Sequence, residues 1–145
     1  MRNPKSKILN SKQIQNPNVS VRFSTSAGRQ NSKQYDLEER TLKFAKSVIE
    51  FVKTLTKTAV NNEIVKQLVR SAGSIGANYI EANESLSRKD FAMRIKICRK
   101  ESKESIYWLR LIEVNDEQRG KERQRLIKEV TELMKIFGSI VEKCK

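Results

Sequence analysis

Glu101 and Glu104 stand three residues apart in the run "ICRKESKESIYWLRL". At helical spacing they fall on one line with Ile97, Trp108 and Leu111, so two carboxylates are set among large apolar groups. Paired acids in such surroundings can serve as a general acid and base, because desolvation separates carboxyl groups into protonated and ionised forms. The competing reading is a polar network inside a helical bundle, in which Arg70 or Asn78 of a neighbouring helix pairs with Glu101 and Glu104. No other catalytic group converges on the two acids. The network is therefore the reading adopted, and no catalytic residue is assigned.

The same segment carries a second pattern. Lys89, Lys96, Lys100, Lys103, Tyr107 and Arg110 share one face, with Arg99 alongside. Cations interleaved with an exposed aromatic suit phosphate contact combined with base stacking. The alternative is a solvated helix face held by pairs such as Lys100–Glu104. From spacing alone the two stand level. The whole chain leans toward polyanions, with 30 basic against 17 acidic residues and a formal charge of +13. Nucleic acid and anionic membrane surfaces are the partners such an excess favours.

Other chemistries are removed by composition. The chain has no histidine, so Ser-His and Cys-His nucleophiles and Glu-x-x-His di-iron sites cannot be built. The two cysteines, Cys98 and Cys144, fall on apolar helical stripes, where free cysteine behaves as a small hydrophobe. Neither a disulfide nor a zinc site is expected, and no metal or cofactor. No apolar run approaches the roughly 18 residues of a membrane span, and no apolar h-region marks a secretory signal. A cytoplasmic protein without membrane contact is expected.

The elements that must position these residues begin near Tyr35. Residues 1–34 hold seven basic and no acidic residues, and their apolar side chains occur singly. Such a composition buries too little to offset ordering entropy and predicts a disordered basic tail. It is either a solvated, polyanion-seeking arm or a segment upstream of the true start, and it has a superficial likeness to a transit peptide. Residues 35–145 form the second region. Asp36 with Glu39 makes an N-cap pairing, and Leu37, Phe44, Val48, Phe51 and Leu55 form an apolar seam beside Leu42, Ala45, Ile49 and Val52. This first helix is expected to end near Thr58, with Asn61 or Asn62 capping a second that runs to about Asn83. Ser87 with Asp90, stapled by Leu86 and Phe91, opens a third helix that extends to about Val114. After a loop from Asn115 to Gly120 comes a fourth, with Leu126, Val130, Leu133, Phe137, Ile140 and Cys144 on its stripe. Four long helices with short connections predict an all-α, antiparallel up-down-up-down four-helix bundle.

The stretch "RSAGSIGANYIEAN" in the second helix is rich in small residues, among them Ala72, Gly73, Gly76 and Ala77. A glycine costs a helix interior about 0.5–1 kcal/mol relative to alanine, so something should pack closely there. Ile64, Leu68, Ala72, Ile75, Tyr79 and Ala82 form one seam, and Val65, Val69, Gly73, Gly76 and Ile80 a second. A phosphate loop is rejected, because no strand precedes the glycines and no Gly-Lys-Ser/Thr follows. Apolar width beyond one packed face, on this helix and around Trp108 on the third, points to an oligomer. Whether the close partner is a helix of the same chain or of another subunit is open at this level.

The segments "YDLEERTLKFAKSVIEFVKTL", "IVKQLVRSAGSIGANYIEAN", "SRKDFAMRIKICRKESKESIYWLRLI" and "KEVTELMKIFGSIV" resemble the four helix bundle, or 23S ribosomal RNA intervening-sequence (S23), family over residues 35 to 143. The resemblance implies an antiparallel bundle assembled as a homopentameric bacterial ring. It further implies kinship with the accessory protein of diversity-generating retroelements, a basic pentamer that binds nucleic acid and a reverse transcriptase. RNA or DNA, further copies of the chain and a protein partner such as a reverse transcriptase are the partners expected. The family supplies no catalytic residue to carry over.

Overall fold

The computed structural model describes the backbone of residues 27–145 and the side chains from Leu37 onward. It contains four helices: α1 (Ala27–Lys53), α2 (Ala59–Asn83), α3 (Arg88–Leu111) and α4 (Glu117–Lys143). No strand occurs among the described residues. A helix of 25 residues such as α2 is about 37 Å long, whereas a connection of four or five residues reaches at most about 17 Å. Each helix must therefore reverse on its predecessor. Cross-helix bonds agree: Asn83 near the end of α2 donates to Glu38 near the start of α1's described side chains, and Asn61 at the start of α2 bonds Glu113 just past α3. Helices α1 and α4 also meet, through Arg40 and Glu129, closing the bundle.

The seams read from periodicity become the core. Leu37, Phe44, Val48, Phe51 and Leu55 of the α1 region are buried, as are Ile64, Leu68, Ala72, Ile75, Tyr79 and Ala82 of α2. From α3 come Phe91, Ile95, Cys98 and Leu109, and from α4 Leu126, Val130, Leu133, Phe137 and Ile140. The Tyr79 and Phe137 rings meet at 6.0 Å, joining α2 to α4 through the middle of the bundle. Leu42 and Ile49, the neighbouring line on α1, stay 47% and 39% exposed.

Several boundaries differ from expectation, each for a local reason. Helix α1 begins at Ala27, so residues 27–34 are helical and Asp36 lies inside the helix. Ala, Arg, Gln and Lys in that stretch are good helix formers, and extending a helix costs far less than nucleating one. Residues 1–26 of the tail expected over 1–34 lie outside the described residues. Helix α1 stops at Lys53, and Thr58, not Asn61 or Asn62, caps α2 by accepting from the Asn61 amide at 3.0 Å. The Asn61 side chain is instead a clasp between loops: Nδ2 donates to the carbonyls of Thr56 and Glu113, and Oδ1 accepts from the Glu113 amide. Ser87 caps α3 as expected. Leu86, however, is 62% exposed while Phe91 is buried in the core, so they form no tight staple. Asp116 caps α4, which places Gly120 in the first helical turn.

The small stretch divides between two tasks. Ser71 and Ala72 are buried against α3, where the Ser71 and Ser105 hydroxyls meet at 2.9 Å and the Cys98 thiol donates to the Ile75 carbonyl at 3.5 Å. On the other side, Gly76 faces α1: a Cβ there would lie 2.9 Å from Thr41 Oγ1. Thr41 is buried and its hydroxyl donates toward the Leu37 and Glu38 carbonyls, so it has little freedom to yield. A Cβ on Gly73 would meet nothing within 4 Å of this chain. Gly76→Ala should consequently destabilise the fold by about 1–3 kcal/mol, from overpacking. Within the chain Gly73→Ala should gain up to about 1 kcal/mol from helix propensity. Urea unfolding of the two variants measures the difference, and equal effects would contradict this packing.

Burial pushes the Cys98 thiol up to about 12 from its ordinary 9.0. The folded state thus keeps a proton that the unfolded chain loses above pH 9, so stability present below that value should fall as pH rises toward 12. A Cys98→Ala variant should lack this slope. At neutral pH a thiol-alkylating reagent should label Cys144 first and reach Cys98 only on unfolding, as mass spectrometry can follow.

Candidate nucleic-acid interface

Helix α3 positions every charged group singled out from its sequence. Its inward line, Phe91, Ile95, Cys98, Ser102, Ser105 and Leu109, is buried against α2 and α4, and this rotation fixes which side chains face outward. Lys89, Lys96, Lys100, Lys103, Tyr107 and Arg110 are all exposed. Arg99 is half-buried: its stem passes over Gly138 of α4, with Cδ 3.7 Å from where a Cβ would sit. A straight helix carries Lys89 to Arg110 over about 32 Å at 1.5 Å per residue. The face is a linear array of cations.

The two carboxylates lie on the α2 side of that array. Arg70 NH2 donates to Glu104 Oε1 at 2.5 Å and stands 3.3 Å from Glu101 Oε1. Glu101 has only 7% of its side chain exposed, while Arg70 has 47% and reaches the pair from the surface. Asn78, expected in the same network, is elsewhere: its Oδ1 accepts from Arg94 at 3.0 Å and its Nδ2 donates to the Ser74 carbonyl. The network is thus Arg70 with two acids, plus a separate Asn78–Arg94 bond. Arg94 carried no sequence signal, being one cation among many on its helix. No group of three or more Cys, Asp or Glu residues placed to hold a metal occurs among the described residues.

Glu104 pairs with Arg70, and the Lys100–Glu104 pair expected of a merely solvated face does not form among the described residues. None of Lys89, Lys96, Arg99, Lys100, Lys103 and Arg110 makes an ion pair among the described residues; Lys43 and Lys46 of α1 and Lys128, Lys135 and Lys143 of α4 likewise make none, whereas Arg40, Lys53, Lys66, Lys121 and Arg125 do. Lys96, Arg99, Lys100, Lys103 and Glu104 line a shallow depression of about 420 Å³. The Tyr107 ring, 58% exposed, stands edge-on to Trp108 with centroids 4.9 Å apart.

The residues expected to pack closely divide as the fold requires. Ala72 is buried and Gly76 lies against α1, whereas Gly73, Ala77 and Ile80 are exposed on α2. Trp108 is half-buried, and its Nε1 is buried with no acceptor among the described residues. Met93 and Leu111, near opposite ends of α3, are exposed apolar residues at 50% and 47%. No helix among the described residues is long and apolar enough to cross a membrane.

A protein-family model for the 23S rRNA-intervening sequence protein matches residues 33–139. Among solved structures, a protein of unknown function from the S23 ribosomal protein family of Bacteroides thetaiotaomicron VPI-5482 superposes with a TM-score of 0.62 and 31% identity. The match covers 72% of this chain and 96% of that one. No curated protein matches the chain.

Removing Arg70 should reveal what the network is for. Arg70→Met leaves the buried Glu101 carboxylate without its cation and should cost about 1–3 kcal/mol in chemical unfolding. Adding Glu101→Gln should restore part of that loss, because an amide is cheaper to bury than a lone charge.

Proposed function

Because the chain belongs to the 23S rRNA-intervening sequence protein family, we propose that it is a non-enzymatic, oligomeric bundle that binds nucleic acid through the exposed face of α3. The observation that carries this reading is the row of six cations, Lys89 to Arg110, left without ion pairs among the described residues. Surface cations that neutralise neighbouring carboxylates have little left to offer a ligand. Unpaired ones can neutralise phosphates, and the release of the counterions condensed on the nucleic acid drives binding. Tyr107 in the same row adds a π-face for an unstacked base.

Assembly strengthens such a surface. Gly73, Ala77 and Ile80 on α2 present small and apolar surface to solvent, so further copies of the chain are the occupants proposed for this side. A homopentameric ring, the assembly implied by resemblance, would present five α3 faces and multiply weak contacts through effective concentration.

A second reading rests on the apolar residues Leu42, Ile49, Met93 and Leu111, which remain exposed. Here the ring is a scaffold that docks a protein, such as a reverse transcriptase, and its charge is incidental. The two readings part on salt. Binding of a structured RNA and a matched DNA duplex should weaken linearly on a logarithmic salt scale, with a slope of about −5 for duplex if all six cations engage phosphates. Changing Lys96, Lys100, Lys103 and Arg110 together to Glu should abolish binding, with helicity unchanged by circular dichroism. Retained affinity in that variant would remove α3 from the reading. Binding that disappears by about 100 mM salt would favour the scaffold.

A further inference from the structure

Glu104 is the residue of the α3 depression that phosphate binding does not need. Four cations, Lys96, Arg99, Lys100 and Lys103, line the cavity, and the fifth lining residue is a carboxylate. A negative charge among phosphate-binding cations repels the ligand those cations attract. Its orientation is nevertheless held: the Arg70 bond to Oε1 anchors it from the α2 side, and Oε2 has no partner among the described residues. The side chain is 34% exposed, enough to be reached from solvent. Tyr107 is not one of the five lining residues; it stands three residues beyond Glu104, at the spacing of neighbours on a helix surface. The contact with Trp108 orients the Tyr107 ring while leaving it 58% exposed.

We infer that the depression is a recognition site for a single unpaired guanine in the bound strand. The base stacks on Tyr107, its Watson–Crick edge donates to the Glu104 carboxylate, and Lys100 and Lys103 hold the flanking phosphates. Guanine is selected because its N1–H and 2-amino group are adjacent donors, matching two acceptor oxygens. Adenine and cytosine offer one amino group beside a ring nitrogen acceptor, and uracil sets its N–H between two carbonyls; each brings a lone pair against the carboxylate. The single aromatic of the row limits stacking to one base, so paired backbone lies along the remaining cations. The inference rests on the nucleic-acid reading of α3 and supplies its specificity.

Four RNA hairpins that share one stem and differ only in a single bulged G, A, C or U, with a fully paired control, test this by fluorescence anisotropy on the full chain. The guanine bulge should bind about tenfold more tightly than the others. Glu104→Gln should erase that preference and strengthen binding of the paired control, since a repelling charge is lost; a carboxylate serving only to hold Arg70 would not produce this opposite pair of changes. Tyr107→Leu, at an exposed position that does not endanger folding, should reduce every bulged hairpin to the affinity of the control. The guanine-bulged hairpin and its adenine counterpart made in DNA identify the strand: a preserved preference assigns recognition to the base edge alone, and a preference confined to RNA assigns it to RNA. Equal affinity for all four bulges, with the paired control still bound, overturns the inference and leaves the nucleic-acid reading standing. Failure to bind any hairpin overturns both.

Discussion

The close approach of α2 and α3 is the constraint on which the arrangement depends. Ser71, Ala72 and Ile75 on one helix meet Cys98, Ser102 and Ser105 on the other, and all six are buried. Small side chains bring the backbones near enough for the Ser71–Ser105 hydroxyl contact and the Cys98–Ile75 bond. With hydroxyls and a thiol in the seam, each polar group must find a partner across it or along its own helix, as Ser102 does with the Cys98 carbonyl. That requirement fixes the register of α3 more tightly than oily contacts would. Once the rotation is fixed, the cationic row has one direction to face, which is outward.

The same register distributes charge. It brings Arg70 over Glu101 and Glu104, so these two acids pair with α2 and not with the lysines of their own helix: Glu104 by a hydrogen bond, and Glu101 by an ion pair that leaves its buried Oε1 without a hydrogen bond. An i,i+4 pair on an exposed helix contributes only a few tenths of a kcal/mol. A guanidinium over one buried and one half-buried carboxylate relieves a larger desolvation penalty. Glu104 is held by Arg70, and Lys100 makes no ion pair among the described residues. Arg40 acts similarly at the α1–α4 seam, where Glu129 and Glu132 hold it.

How much could be read in advance follows from the range of each interaction. The buried seams of all four helices were legible because burial on one face repeats with the helical period, and residues such as Phe44, Val48 and Phe51 announce it alone. The Ser87 cap was legible because it acts within one turn. Leu86 misled for the same reason: its local spacing satisfies a staple, but Phe91 gains more in the core. Thr58 caps α2 in place of the expected Asn61 or Asn62, and that outcome was not legible because it depends on the distant Glu113 backbone that captures the Asn61 side chain.

Composition and periodicity thus determined the helical class, the inward residues, the absence of histidine chemistry and the existence of a cationic row on α3. These are properties of single helices and of counts, and each is written within a few turns of chain. Only the tertiary structure decided that Gly76 is required by Thr41 while Gly73 is open, that Asn78 joins Arg94 and not the acids, and that Glu104 belongs to Arg70. Each of those outcomes depends on which helix lies opposite and at what rotation. A one-dimensional pattern holds the spacing of charges along a helix but not the partner that arrives from across the groove.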